Sequence, residues 1–307
     1  MDLLRFPLVV LIEVFKYLDF KEKFLISLLS KKARNKLKLT SVSSDSLFNL
    51  SNKLFIRLGY YTEEHRLSVT KEKDYFIGKE VMKLGFHSKG VLLEEESFQK
   101  QLLLANHLLD TFRISAISVS FPYVTEPADV LEFFKMIKQR QLSIKSFYCR
   151  LDEVSSEFIS KILDECTEVT DRVVTTVWFP DGFVYTPTRP FNATKLLVYG
   201  NSNWSNLESF MNCRYATVQL GKNSTRTAQF YNSFFTKWMD SGARLQRLTL
   251  RCMKEGIQHE IGDKWIEISR KNGIQFFVES ATNYISIYTK QGYMEHLKEI
   301  EQRELAR

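Results

Sequence analysis

Apolar and polar positions recur with a changing period along the chain, and the period divides it. Over residues 7–18, Val10, Val14, Phe15 and Leu18 recur at three and four, the spacing of one helix face, while Leu8, Leu11 and Ile12 fill much of the other side. Pro7 suits the first helical position, where a backbone N–H would have no partner anyway. A helix apolar nearly all round must be covered on several sides, which about forty residues cannot do alone, so this segment is expected to want a partner. Asp19 with Glu22 three residues on is the capping-box signature of a second helix over residues 21–29, with Phe24, Leu25 and Leu28 on one face. Ser30 can cap a third helix carrying Lys31, Lys32, Arg34, Lys36 and Lys38, and Ser41-Val42-Ser43-Ser44-Asp45-Ser46 reads as a linker.

From about residue 47 to 75 the period falls to two. Phe55-Ile56-Arg57-Leu58-Gly59-Tyr60 and His65-Arg66-Leu67-Ser68-Val69 read as strands, and residues 94–111 as a helix. A repeating unit follows. Strands begin near Ile117, Ser146, Val173, Lys195, Ala216 and Arg247, at steps of 29, 27, 22, 21 and 31. Helices are expected between them at 130–139, 155–166, 206–212 and 227–240, the last with Phe230, Phe234, Phe235 and Trp238 on one face. Strand and helix alternating at about 20 to 30 residues is the rhythm of a leucine-rich-repeat-like α/β solenoid, in which stacked neighbours share one core and the strands line a concave face. A doubly wound sheet alternates in the same way, but no Gly-rich phosphate turn follows any strand here. Beyond, Asn272-Gly273 between two alternating runs is a strong hairpin signal, and Tyr284-Ile285-Ser286-Ile287-Tyr288 adds a strand, giving a C-terminal antiparallel meander. Residues 290–307 read as a charged, frayed helix. The fold class expected is α/β, with three helices in front.

Composition changes this picture little. Hydrophobic residues make up 44% and charged residues 26%, ordinary for a globular chain, and only 12 Gly and 6 Pro speak against long linkers. A formal net charge of +7 permits acidic partners without requiring nucleic acid. The apolar run over residues 6–15 has neither the basic start nor the small-residue site of a signal peptide, and it is too short to span a bilayer. A cytoplasmic or nuclear protein with no membrane partner is expected. Cys149, Cys166, Cys213 and Cys252 form no CxxC pair and read as free buried thiols. His65, His87, His107, His259 and His296 are scattered without metal-ligand spacing. Asp152-Glu153 and Glu94-Glu95-Glu96 read as a helix cap and a solvated helix start, and three sequons as chance. No catalytic residue, cofactor or metal is expected, and the chain is not expected to be an enzyme.

The order Phe6-Pro7, then Val10, Ile12, Phe15 and Leu18, then Phe24-Leu25-Ile26-Ser27, then Ser30-Lys31-Lys32-Ala33-Arg34 resembles an F-box over roughly residues 3 to 40. The resemblance implies a three-helix motif that docks on the Skp adaptor of a cullin-based ubiquitin ligase. By position, Pro7, Leu8, Leu11, Ile12, Phe15 and Leu18 match the docking helix, and Phe24, Leu25 and Leu28 the second. The sequence departs from the family where Phe6 replaces the usual Leu, where Val9 and Val10 stand at an often acidic site, and where Ala33 falls near the usual Trp. Farther on, Trp204-Ser205-Asn206-Leu207-Glu208-Ser209-Phe210, Phe234-Phe235-Thr236-Lys237-Trp238-Met239, Leu245-Gln246-Arg247-Leu248-Thr249-Leu250 and the hairpin over residues 266–278 resemble the type 2 F-box-associated domain. The organisation implied is an F-box at 1–40, a connecting region at 41–114, a repeat-like associated domain at 115–290 and a tail at 291–307. The function implied is substrate recognition: the F-box contacts the Skp adaptor and through it a cullin, and the C-terminal domain holds an unidentified target. A stand-alone interaction scaffold and a nucleic-acid binder are the alternatives.

Overall fold

The structure is a computed structural model that describes residues 3–41, 44–51, 53–59, 69–94, 97–152, 154–180, 182–200, 202–203, 206–221, 227–252, 264–269, 275–281 and 283–305. The chain divides into two compact units, Met1–Ser146 and Phe147–Arg307.

The first unit opens with α1 (Leu8–Tyr17), α2 (Phe20–Leu29) and α3 (Lys31–Thr40). Their boundaries follow local chemistry. Pro7 precedes α1; Glu22 N donates to Asp19 Oδ1 at 2.7 Å while Asp19 N donates to Glu22 Oε2 at 2.8 Å; and Ala33 N donates to Ser30 Oγ at 3.1 Å. The expected capping box and third cap are both present. Strands β1 (Ser44–Leu50), β2 (Leu54–Leu58), β3 (Lys73–Ile77), β4 (Glu80–His87) and β5 (Gly90–Leu93) follow, then α4 (Phe98–Thr111), β6 (Ile114–Val124) and α5 (Pro127–Gln139). The sheet order is β6-β1-β2-β5-β4-β3, with β1 parallel to β6 and the other pairs antiparallel. Phe48, Ile56, Val91, Ile117 and Phe121 are fully buried, and Phe133 of α5 meets Phe48 at 5.8 Å and Phe121 at 6.0 Å between ring centres.

Two expectations shift here. The linker gives way to strand at Ser44, and α4 begins at Phe98, not near residue 94, because Ser97 Oγ accepts from Lys100 N and caps it there. Glu94 instead pairs with Lys53 at 2.7 Å. The three N-terminal helices do not stand apart from the sheet: Phe24 lies 5.2 Å from Phe86, and Phe20 lies 5.4 Å from Phe112.

β7 (Ser143–Leu151) carries the division between the units. The second unit continues with α6 (Ser156–Cys166), β8 (Arg172–Val177), β9 (Lys195–Tyr199), a short 3-10 helix (Leu207–Phe210), β10 (Tyr215–Leu220), α7 (Ala228–Asp240) and β11 (Arg247–Cys252). It ends with β12 (Lys264–Ser269), β13 (Gln275–Ala281), β14 (Tyr284–Thr289) and α8 (Lys290–Leu305). β8, β9, β10 and β11 lie side by side in chain order, all parallel, and the antiparallel strands β14, β13 and β12 follow on from β11. A doubly wound sheet would reverse its strand order at a switch point; these four strands do not. Val173, Leu196, Ala216, Leu248 and Ile287 stand in one register row on the buried face. On that side Trp238 of α7 packs edge-on to Phe276 at 5.0 Å and donates from Nε1 to Leu245 O at 2.9 Å.

The helix expected over 206–212 is only a 3-10 turn, held by Glu208 N donating to Asn206 Oδ1 at 3.1 Å. The Asp152-Glu153 cap is also corrected: Ser155 holds the N-cap position of α6, and Asp152 faces Arg150 at 3.5 Å. The expected strand around His65, the Asn272-Gly273 turn, the sequon at Asn223, part of the sequon at Asn203, the Cys252 side chain, His259 and Glu95, Glu96 and Glu153 lie outside the described residues.

Candidate partner-binding surfaces

The nine N-terminal side chains picked out by sequence divide by burial. Leu11, Phe15 and Phe24 are 0%, 3% and 0% exposed. Leu11 and Phe15 form a core cluster with Leu37, against which Phe6, Val14, Leu18 and Ile26 pack, and Phe24 turns to Phe86 and to His107 at 5.5 Å. These three side chains are interior struts and offer no surface to a partner. Ile12, Leu18, Leu25 and Leu28 are half-buried, and Pro7 and Leu8 are exposed. The apolar side chains facing solvent are Val9 at 72%, Tyr17 at 87%, Leu29 at 73% and Leu39 at 66%, with Leu8 and Val10 beside them. Sequence reasoning passed over Val9 and Tyr17. The sequence alone carried no signal for them: only once Leu37 places Leu11 and Phe15 on the inward face does Val9 stand nearly opposite it. Both Phe6 and Ala33, departures from the family pattern, are used inside the unit: Phe6 on the Leu11 cluster, Ala33 fully buried.

Behind this surface His107 of α4 is buried beside α2. Ser27 Oγ donates to Phe24 O at 2.5 Å and pairs with His107 Nε2 at 2.7 Å, an arrangement that fits a neutral ring with its proton on Nε2. Burial first, and then the charge of Arg34, lowers the ring from 6.5 to about 4. The basic run of α3 is partly tied down: Arg34 lies 3.9 Å from Asp110, and Lys38 Nζ donates to Leu109 O at 3.1 Å, while Lys31 and Lys32 are exposed.

In the second unit α7 packs on one face of the sheet; the opposite face carries cations and aromatics. One register row across it reads Arg172, Lys195, Tyr215, Arg247, Tyr288 and Phe277. The cations lie over the rings: Lys195, Arg214 and Arg247 stand 5.9, 5.3 and 5.0 Å from the centre of Tyr215. Four residues farther along the strands, Arg251 stands 5.7 Å from Tyr199.

The charged helix expected over 290–307 forms as α8 over Lys290–Leu305, and where fraying was expected it is docked on this face. Tyr293 stacks on Phe277 at 4.3 Å, His296 lies 5.1 Å from Tyr288, and Glu295 accepts from Tyr215 Oη at 2.5 Å and from Arg214. Burial alone would raise the Glu295 carboxyl, but hydrogen bonds from Tyr215 and Gln291 and the Arg214 charge hold it below the usual carboxylate range. Burial and the bond to Glu295 push Tyr215 up to about 12.

Cys149, Cys166 and Cys213 are buried free thiols, and burial pushes Cys213 up to about 12. Among the described residues no cluster of three His, Cys, Asp or Glu could hold a metal ion, and no helix is long and apolar enough to cross a membrane.

Residues 3–42 match the F-box domain family. No curated protein and no solved structure matches the chain. The three N-terminal helices are thus an F-box domain, a kind that generally binds Skp adaptors, which suggests a role in substrate recognition by a Skp–cullin–F-box ubiquitin ligase.

Proposed function

We propose that this chain is the substrate-recognition subunit of a Skp–cullin–F-box ubiquitin ligase. Its F-box docks on a Skp-type adaptor, and through it a cullin, while the second unit holds a target protein. The observation that carries the reading is the F-box match at residues 3–42 together with the apolar side chains those helices leave in solvent. Val9, Tyr17, Leu29 and Leu39, with Leu8 and Val10, are apolar side chains left in solvent, and such exposed apolar surface supports a protein-interaction site on these helices. Ile12, Leu18, Leu25 and Leu28 reach that surface in part, whereas Leu11, Phe15 and Phe24 position the helices from behind. The chain supplies no chemistry itself; it brings a target near an enzyme charged elsewhere, a proximity effect. For the second unit, the reading is a leucine-rich-repeat-like solenoid of the type 2 F-box-associated kind, closed by its meander. Support comes from the parallel strands β8 to β11 set side by side in chain order and from the antiparallel β12 to β14 at their end. The place of action proposed is the cytoplasm or nucleus.

Co-expression with a Skp adaptor followed by size-exclusion chromatography tests the adaptor half. Wild type co-elutes; Val9→Asp with Leu29→Asp elutes alone while keeping its unfolding midpoint. Co-elution of that double variant would remove the proposed docking surface, and a wild-type chain eluting alone would favour a stand-alone scaffold.

A further inference from the structure

We infer that the cation-and-aromatic face of the second unit's sheet is a docking surface for a helical segment of a partner protein that presents a carboxylate and an aromatic ring, and that α8 occupies this surface in the free chain. The chemistry of the surface is written in how α8 is held. Its contact side is Gly292, Tyr293, Glu295, His296 and Glu299, all buried or half-buried, whereas its Lys290 and Lys298 are exposed. A ring stacked on Phe277 and a carboxylate shared by Tyr215 and Arg214 are the two principal holds.

The surface extends past the helix. Arg172, Lys195 and Arg251 are exposed, and among the described residues no carboxylate lies within ion-pair distance of Lys195, Arg247 or Arg251. Glu279 on the same face is already taken, accepting from Tyr284 and Tyr288 hydroxyls at 2.9 and 2.8 Å. The field over the surface therefore favours anions, and an acidic segment longer than α8 would gain partners that α8 leaves unused.

α8 itself is replaceable. It leaves Met294 at 50%, Leu297 at 39% and Ile300 at 37% exposed, so most of its apolar side is in solvent and its hold rests on a few directional contacts. Its approach depends on one glycine: a Cβ at Gly292 would stand 2.4 Å from Gln246 O and 3.0 Å from its carbonyl carbon, backbone that cannot give way. Basic residues interleaved with rings also suit single-stranded nucleic acid. The carboxylate already seated on Tyr215 and Arg214 favours a protein ligand.

The test uses the full chain and a fluorescein-labelled synthetic peptide reproducing Lys290–Leu305, read by fluorescence anisotropy. In wild type the tethered helix, present at an effective concentration of about millimolar, keeps the peptide off. Gly292→Val expels the helix, and the peptide is expected to bind about tenfold tighter or more, within the usual range of coupling between sites. Tyr293→Ala with Glu295→Gln in the chain, which disturbs no backbone contact, must do the same. Hydrogen exchange along β9 to β11 confirms that the sheet is intact. Adding Arg214→Glu to the chain, or Glu295→Gln to the peptide, should abolish the gain, since Arg214 is the cation that holds the Glu295 carboxylate. Equal peptide binding by wild type and both released variants, or binding indifferent to Arg214→Glu, would overturn the proposal. So would displacement of the peptide by oligouridylate at lower concentration than by unlabelled peptide, which would assign the face to nucleic acid. Equating the partner segment with a ligase target rests on the function proposed above. No adaptor enters this assay, so failure here leaves adaptor docking standing, and failed co-elution leaves this surface standing.

Discussion

His107 is paired with Ser27 and enclosed by Phe24, and it is kept neutral there. With its folded value lowered to about 4 from 6.5, the unfolded chain binds a proton between those limits that the native chain does not. Stability therefore rises with pH across that window and its full contribution, up to about 3 kcal/mol, is present above it. Thermal unfolding at steps of pH is expected to show this slope in wild type and a shallower one in His107→Gln; parallel curves would remove His107 as the source. The same distinction between interior and surface governs the helical residues. Phe15→Ala empties a buried site and should cost about 3–5 kcal/mol by denaturant titration. Val9→Asp, at a site 72% exposed, should stay within about 0.5 kcal/mol while losing the adaptor. Sequence could list these residues as apolar but could not sort them, because α1 is apolar on nearly every side. What sorts them is Leu37 on α3 and Phe86 on β4, partners distant in sequence.

At the scale of elements, the readable boundaries are those set by neighbours in sequence. Asp19 and Glu22, Ser30 and Ala33, and Pro7 fix three helix starts within a few residues, and the period of two fixes most strands. Asp19→Ala is expected to cost about 1 kcal/mol and to speed hydrogen exchange in the first turn of α2, with α3 unchanged, since each helix has its own cap; equal loosening of both would mean that the cap of α2 is not what holds its start. Misreadings occur where a side chain cuts a segment short or a remote contact rescues it. Ser97 delays α4, the segment capped by Asn206 closes only a 3-10 turn, and α8 is held by Tyr215, Arg214 and Phe277. Nothing in the composition of residues 290–305 announces that docking, except a glycine where a free helix would prefer alanine. Gly292→Ala makes the point separable: helix propensity alone would favour it by about 1 kcal/mol. The close approach to Gln246 instead predicts faster exchange throughout α8.

Across the whole molecule, the sign and placement of charge separate the readings that the sequence left open. The excess of +7 is a property of the full chain, but the proposed adaptor surface is built from Val9, Tyr17, Leu29 and Leu39, which carry no charge. Burial of apolar surface is indifferent to counterions, whereas phosphate contacts release them, so each reading has its own salt signature. Adaptor co-elution is therefore expected to survive an increase from about 50 to about 200 mM salt, a range over which a nucleic-acid complex with 6–10 phosphate contacts loses about 10³–10⁵ in affinity. The second unit should behave differently: peptide binding to its cationic face, with Lys195, Arg247 and Arg251 exposed or half-buried, should weaken over the same range. Both measurements belong on one preparation of the full chain. If salt strips the adaptor as readily as the peptide, the F-box contact is electrostatic, through Lys31 and Lys32 of α3, and the apolar patch on α1 and α2 is not its seat.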